Sequence, residues 1–139
     1  METKEGNLFE SNAIAYYVSN DQLRGKNVLE QSQVIQWLSF ADNEVVPAVS
    51  SWVFPVVGII NFNKQVSWFD YQNFIVKFYF YFQSVERGKE DTKKLLSLLN
   101  DYLQTRTYLV GERITLADIV LSTSLLPLYQ YVNTFTQIN

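Results

Sequence analysis

A mainly α-helical domain is predicted by three features of this sequence. Apolar residues recur at helical spacing over residues 28–46 and again over about 86–105. A helix-start signature, Thr115 followed three residues later by Asp118, opens a further helix. The chain also shows no internal repeat. At 139 residues it is the length of one domain and large enough to bury a core without cross-links.

Residues 7–18 read as a strand end turning into a helix, with Ser11 expected as the N-cap ahead of Asn-Ala-Ile-Ala-Tyr-Tyr-Val. That helix is expected to stop near Ser19, Asn20 and Asp21, and Arg24 to Asn27 to form a loop. From Val28 to Val46 the residues Val34, Leu38, Ala41 and Val45 share one face, while Ser32, Gln36, Ser39 and Asn43 share the opposite one. Pro47 should kink this helix because it lacks an N–H and its ring clashes with the preceding turn. A buried helix is expected to continue over Val49 to Ile60, interrupted at Pro55 and Gly58.

The next helix, about Glu86 to Thr105, should bury Leu95, Leu99 and Tyr102 with Leu96 and Leu103 beside them, and pair Glu90 with Lys94 on its outer side. The last begins at Thr115. There Asp118 answers the unpaired donors of the first turn, and Ile114 and Ile119 have the spacing of a hydrophobic staple. Trp37, Phe40, Trp52 and Phe54 are assigned to the core, since large aromatics usually serve packing. The mixed run Glu86, Arg87, Lys89, Glu90, Asp91, Lys93 and Lys94 reads as a solvated helix start, with partner docking as the alternative.

Composition narrows the chemistry. The chain contains neither cysteine nor histidine. Thiol nucleophiles, thiolate or imidazole metal sites and Ser-His-Asp catalysis are therefore excluded within it. Eleven basic against fourteen acidic residues give a net charge of -3, a poor footprint for nucleic acid. No basic leader followed by an apolar core opens the chain, and no apolar run approaches the ~20 residues that span a bilayer. The expectation is a cytoplasmic protein with no membrane and no direct nucleic-acid partner.

One segment stands apart. Residues 66–83 hold nine of the chain's 22 aromatics. A buried strand is the plain reading, because Phe78 to Phe82 alternates Phe with Tyr, but a lone strand would leave its ladder unpaired. A translated intron fits better. Val66-Ser67 is what GTAAGT encodes in frame, and a pyrimidine-rich tract ending TTTCAG yields a Phe/Tyr run closing in Phe82-Gln83.

The flanking residues carry a resemblance. Leu8-Phe9-Glu10-Ser11-Asn12-Ala13-Ile14-Ala15-Tyr16-Tyr17 resembles the end of the thioredoxin-like half of glutathione transferases, its last strand and third helix. Leu109-Val110-Gly111-Glu112-Arg113-Ile114-Thr115-Leu116-Ala117-Asp118-Ile119 resembles the capped helix of their all-helical half. Asn20 to Gly25, Gln36 to Pro47 and Ser51 to Pro55 are similar to the transferase-like domain of the elongation factor 1 gamma family. This implies a remnant of the thioredoxin-like half over residues 1–20, then an all-helical transferase C-terminal-type domain over 28–139, incomplete and interrupted by 66–83. Joining Gln65 to Ser84 restores the family's short helix connection. The family's activating Tyr, Ser or Cys would lie upstream of this chain, and Thr134 to Asn139 departs from the pattern, so the chain reads as a piece of a longer protein.

The resemblance implies a non-catalytic interaction module in translation elongation, docking the exchange-factor subunits of the elongation factor 1 complex and self-associating as a homodimer. The alternatives are a glutathione-conjugating enzyme or an inactive fragment. No catalytic residue and no metal ligand is assigned. Glu10 and Ser11 match the residues with which the transferases hold the γ-glutamyl end of glutathione, a ligand expected only of a longer parent protein. Thr115 and Asp118 are assigned a structural, helix-capping role.

Overall fold

The computed structural model describes residues 1–57 and 71–136. Six helices form the described structure: α1 (Ser11–Val18), α2 (Asp21–Arg24), α3 (Val28–Phe40), α4 (Val46–Val56), α5 (Tyr71–Leu103) and α6 (Leu116–Thr136). A π-helical turn, Ala41–Val45, joins α3 to α4. Ahead of α1, a turn over Thr3 to Gly6 folds the first residues back. Glu2 and Asn7 form an antiparallel bridge, and Met1 and Leu8 exchange hydrogen bonds of 2.8 and 2.9 Å.

The α3–π–α4 rod is the spine, against which α5 and α6 pack. Its inward face is the one that the spacing selects: Val34, Leu38, Ala41 and Val45 are buried, followed by Val49 and Val53. Opposite them Ser32, Gln36, Ser39 and Asn43 are exposed. Leu99 from α5, Leu109 and Val110 from the loop after it, and Leu116, Ala117, Leu121 and Leu128 around α6 complete one apolar cluster. Trp37 is buried there, edge-on to Phe40 and to Tyr102 at 5.3 and 4.9 Å between ring centroids. Phe40, Trp52 and Phe54 are half-buried.

Several expectations are corrected. Ser11 is the first residue of α1, not its cap; Glu10 holds the cap position at φ 69° and makes no side-chain capping bond. Arg24, expected to open the loop that runs to Asn27, is instead the last residue of α2, a single turn that the Asn20 side chain caps by accepting the Leu23 N–H at 3.0 Å. At Pro47, where a kink is expected, the chain stays helical. The chain widens into the π turn just before it, where the Val46 N–H reaches the Ala41 carbonyl, and Pro47 enters the first turn of α4, where its missing N–H costs nothing. Pro55 lies in the last turn of α4, and the expected interruption at Gly58 falls outside the described residues.

The largest difference is at the aromatic segment. Residues 71–83 are helical, the first part of α5, and not a strand; residues 66–70 lie outside the described ones. Extending a helix already nucleated by the residues after Ser84 needs no new nucleus, whereas a strand needs a partner. On α5, Leu99 is buried and Leu95 and Tyr102 half-buried as expected, but Leu96 and Leu103 are exposed. Lys94 pairs with Asp91 at 3.3 Å, one turn back at i−3, in place of Glu90. Ile114 and Ile119, which have the staple spacing, are 46% and 38% exposed.

Candidate functional site

Local chemistry sets the start of each helix that frames the site. Asn27 caps α3 through its side chain, which accepts the Glu30 N–H at 2.9 Å; Glu30 reaches back to accept the Lys26 N–H at 2.7 Å. The Asn-x-x-Glu spacing carries that signal, which the expectation of a loop through Asn27 and a helix from Val28 left unread. Arg24 closes the other end of α1, donating from Nε to the Tyr16 carbonyl at 3.0 Å and from Nη2 to the Tyr17 carbonyl at 2.7 Å. Gly25 follows at φ 105°, where an added Cβ would stand 2.8 Å from the Gln31 nitrogen. Only glycine fits both the dihedral and the space.

Asp118 does more than the sequence predicts. Its Oδ2 accepts from the Thr115 N–H at 2.8 Å and from the Thr115 hydroxyl at 2.9 Å, and its Oδ1 accepts from the Leu109 N–H at 2.9 Å. One carboxylate thus fixes the start of α6 and the loop from α5. Tyr102 braces the same loop by donating its hydroxyl to the Leu109 carbonyl at 2.9 Å. All three of these Asp118 hydrogen bonds are to backbone N–H groups or to Thr115.

Glu10 and Ser11 sit together at the start of α1, both exposed. The positive φ at Glu10 is a costly conformation for a residue with a side chain, roughly 1–3 kcal/mol. Neither residue lines the two clefts that frame the helices. One cleft, about 520 Å³, lies between α1 and α3 and is walled by Ala13, Tyr16, Tyr17, Ile35 and Leu38. Beside it, Asn12 from α1 donates to the Leu38 carbonyl at 3.3 Å and to the Asp42 carboxylate at 2.6 Å, tying α1 to the π turn.

The other cleft, about 630 Å³, runs between the π turn and α4 on one side and α5 on the other. Small residues, Ala48, Ser51 and Gly88, form part of its wall, with Glu44, Arg87, Asp91 and Lys94 also lining it. Part of the charged run on α5 is therefore gathered at a recess. Among the described residues no group of three or more metal-ligating side chains occurs. No helix among them is long and apolar enough to cross a membrane.

The sequence that builds this arrangement has relatives. The family model described as glutathione S-transferase, C-terminal domain, matches residues 71–137. The chain is 54% identical over 125 residues to elongation factor 1-gamma of Artemia salina, covering 90% of this chain and 25% of that protein. It is 51% identical to elongation factor 1-gamma of Danio rerio and 49% identical to that of Homo sapiens, each over 125 residues, 90% of this chain and 24% of the relative. The chain belongs to the transferase-like domain family of elongation factor 1-gamma. It spans about a quarter of the length of these curated relatives. The matched span takes in α5 (Tyr71–Leu103) and α6 (Leu116–Thr136).

Proposed function

We propose that this domain is a non-catalytic interaction module of translation elongation, which docks exchange-factor subunits of the elongation factor 1 complex and pairs with a second copy of itself. The observation that carries this reading is the identity of about half the residues with elongation factor 1-gamma along 90% of the chain. A docking module needs a rigid helical surface and no nucleophile, which accords with a chain free of cysteine and histidine. The α4–α5 cleft is the surface assigned to docking. Small residues allow close approach there, and charges of both signs set register more than affinity. Equilibrium binding of the folded domain to recombinant exchange subunits, compared with the Arg87→Glu/Lys94→Glu variant, tests this. Saturable binding that the double reversal weakens supports it; no binding by a domain shown folded by circular dichroism refutes it.

A second reading rests on the strained Glu10. An exposed carboxylate held at φ 69° beside Ser11, at the N-terminal end of α1, is placed to take an ammonium group while the helix amides take a carboxylate. Glutathione carries both groups at its γ-glutamyl end. Conjugation of a chromogenic electrophile by the longer protein decides between the two: turnover well above the blank would overturn the non-catalytic assignment.

A further inference from the structure

The π turn between α3 and α4 serves two surfaces at once. Asp42 and Glu44 stand two residues apart on it and meet different neighbours. The Asp42 carboxylate accepts from Asn12 of α1 at 2.6 Å, whereas Glu44 lines the α4–α5 cleft. On the reading of that cleft as the docking surface, we propose that Glu44 is its recognition carboxylate, taking a lysine or arginine side chain of the docked exchange-factor subunit. Asn12 and Asp42 are then positioning residues, which hold the turn that aims it.

Charge singles out Glu44. Of the charged residues lining the cleft, Asp91 and Lys94 satisfy each other at 3.3 Å. Glu44 and Arg87, exposed on opposite walls, form no ion pair with each other or with any other described residue. A partner therefore meets one open charge of each sign, and Glu44 is the one that answers a cation. Ala48 and Ser51 follow it one and two turns later, and α4 and α5 come so close at Gly88 that an added Cβ would stand 2.9 Å from the Ser51 Cβ. The stem of a long basic side chain can lie along these small residues while its head reaches the carboxylate.

The backbone fixes the direction of Glu44. A π turn loosens the carbonyls ahead of it from the α-helical ladder. Here side-chain amides take them up: Asn12 donates to the Leu38 carbonyl at 3.3 Å and Asn43 to that of Ser39 at 2.9 Å. On the inner side Ala41, Val45, Val49 and Val53 are all buried although they are spaced by four. Three such steps would drift by about 120° around an α-helix, and the extra residue in the π turn offsets about 100° of that. The core thus sets the turn from within, and Asn12 braces it from α1. Asn12 lines the α1–α3 cleft and not the docking cleft, so its effect on docking passes through the turn.

Equilibrium binding of the full 139-residue chain to recombinant exchange subunits tests this, with cooperative melting checked for each variant. Glu44→Gln should weaken binding about tenfold, the low end of the loss at a close interfacial charge pair. Asn12→Ala and Asp42→Ala should each weaken it about 3- to 10-fold from outside the cleft. Asp42→Asn keeps an oxygen for Asn12 and should bind as the unsubstituted chain does. In the Glu44→Gln background Asn12→Ala should cost nothing further, because it acts through that carboxylate. The Val46 N–H, whose bond to the Ala41 carbonyl closes the π turn, should exchange its hydrogen faster in Asn12→Ala. Binding indifferent to Glu44→Gln, or losses from Asn12→Ala and Glu44→Gln that simply add, overturns the proposal. Val46 exchange unchanged by Asn12→Ala refutes the brace even if Glu44 is read. A folded, unsubstituted chain that binds no exchange subunit instead refutes the docking reading, and the recognition role with it.

Discussion

Asp118→Ala removes the acceptor for three hydrogen bonds at once. Two of the stranded donors are backbone N–H groups, those of Leu109 and Thr115, residues that are 4% and 0% exposed. Water cannot readily replace the lost carboxylate at either residue. A buried donor left unpaired costs about 1–3 kcal/mol, while the Thr115 hydroxyl can rotate to another acceptor at small cost. The sum is about 3 kcal/mol, most of it in the α5–α6 loop and the first turn of α6. For a domain of this size that corresponds to roughly 10 °C in melting temperature. Urea denaturation followed by circular dichroism measures it. Asp118→Asn keeps one oxygen but turns an amide N–H toward one of the two backbone donors, so it should recover only part of the loss. If Asp118→Ala shifts stability by less than about 0.5 kcal/mol, the carboxylate is not what holds the loop to α6, and the reasoning fails.

Two further perturbations probe the frame of the site. At Gly88 an added Cβ would stand 2.9 Å from both the Ser51 Cβ and the Trp52 nitrogen. Gly88→Ala should therefore force α5 from α4 and lower stability by about 1–2 kcal/mol, despite the gain in helix propensity; denaturant titration reads it, and a stabilised variant would contradict the close approach. Glu10→Gly should relieve the backbone at φ 69° and raise stability by about 1 kcal/mol, whereas Glu10→Ala should not, by the same measurement.

What was legible in the sequence was local. Thr115 and Asp118 could be read because their contact closes within one helical turn. The inward face of α3 and the π turn could be read because Val34, Leu38, Ala41 and Val45 repeat at the helical period. The Asp118 bond to Leu109 spans nine residues and follows from the path of the loop, which no spacing rule supplies. The π turn is equally tertiary. It sits where Pro47 must enter a helix and where Asn12, far back in the chain, claims the Leu38 carbonyl and the Asp42 carboxylate. Over residues 78–82 alternating Phe and Tyr mimic a pleat, but the segment from Tyr71 is helical and continuous with the helix that follows it. Of the site itself, the charges on α5 were visible, but their convergence on a cleft with Ala48 and Ser51 required the packing of α4 against α5. Ile114 and Ile119 show the reverse, a staple spacing whose residues stay partly open to water.

The central claim is that this is a docking domain, and a single titration addresses it most directly. The folded domain would be titrated with recombinant exchange-factor subunits of the elongation factor 1 complex in a calorimeter at moderate salt. The account expects saturable binding at a fixed stoichiometry, weakened by charge reversal at Arg87 and Lys94. A domain that melts cooperatively yet gives no heat and no co-elution with any exchange subunit would contradict it.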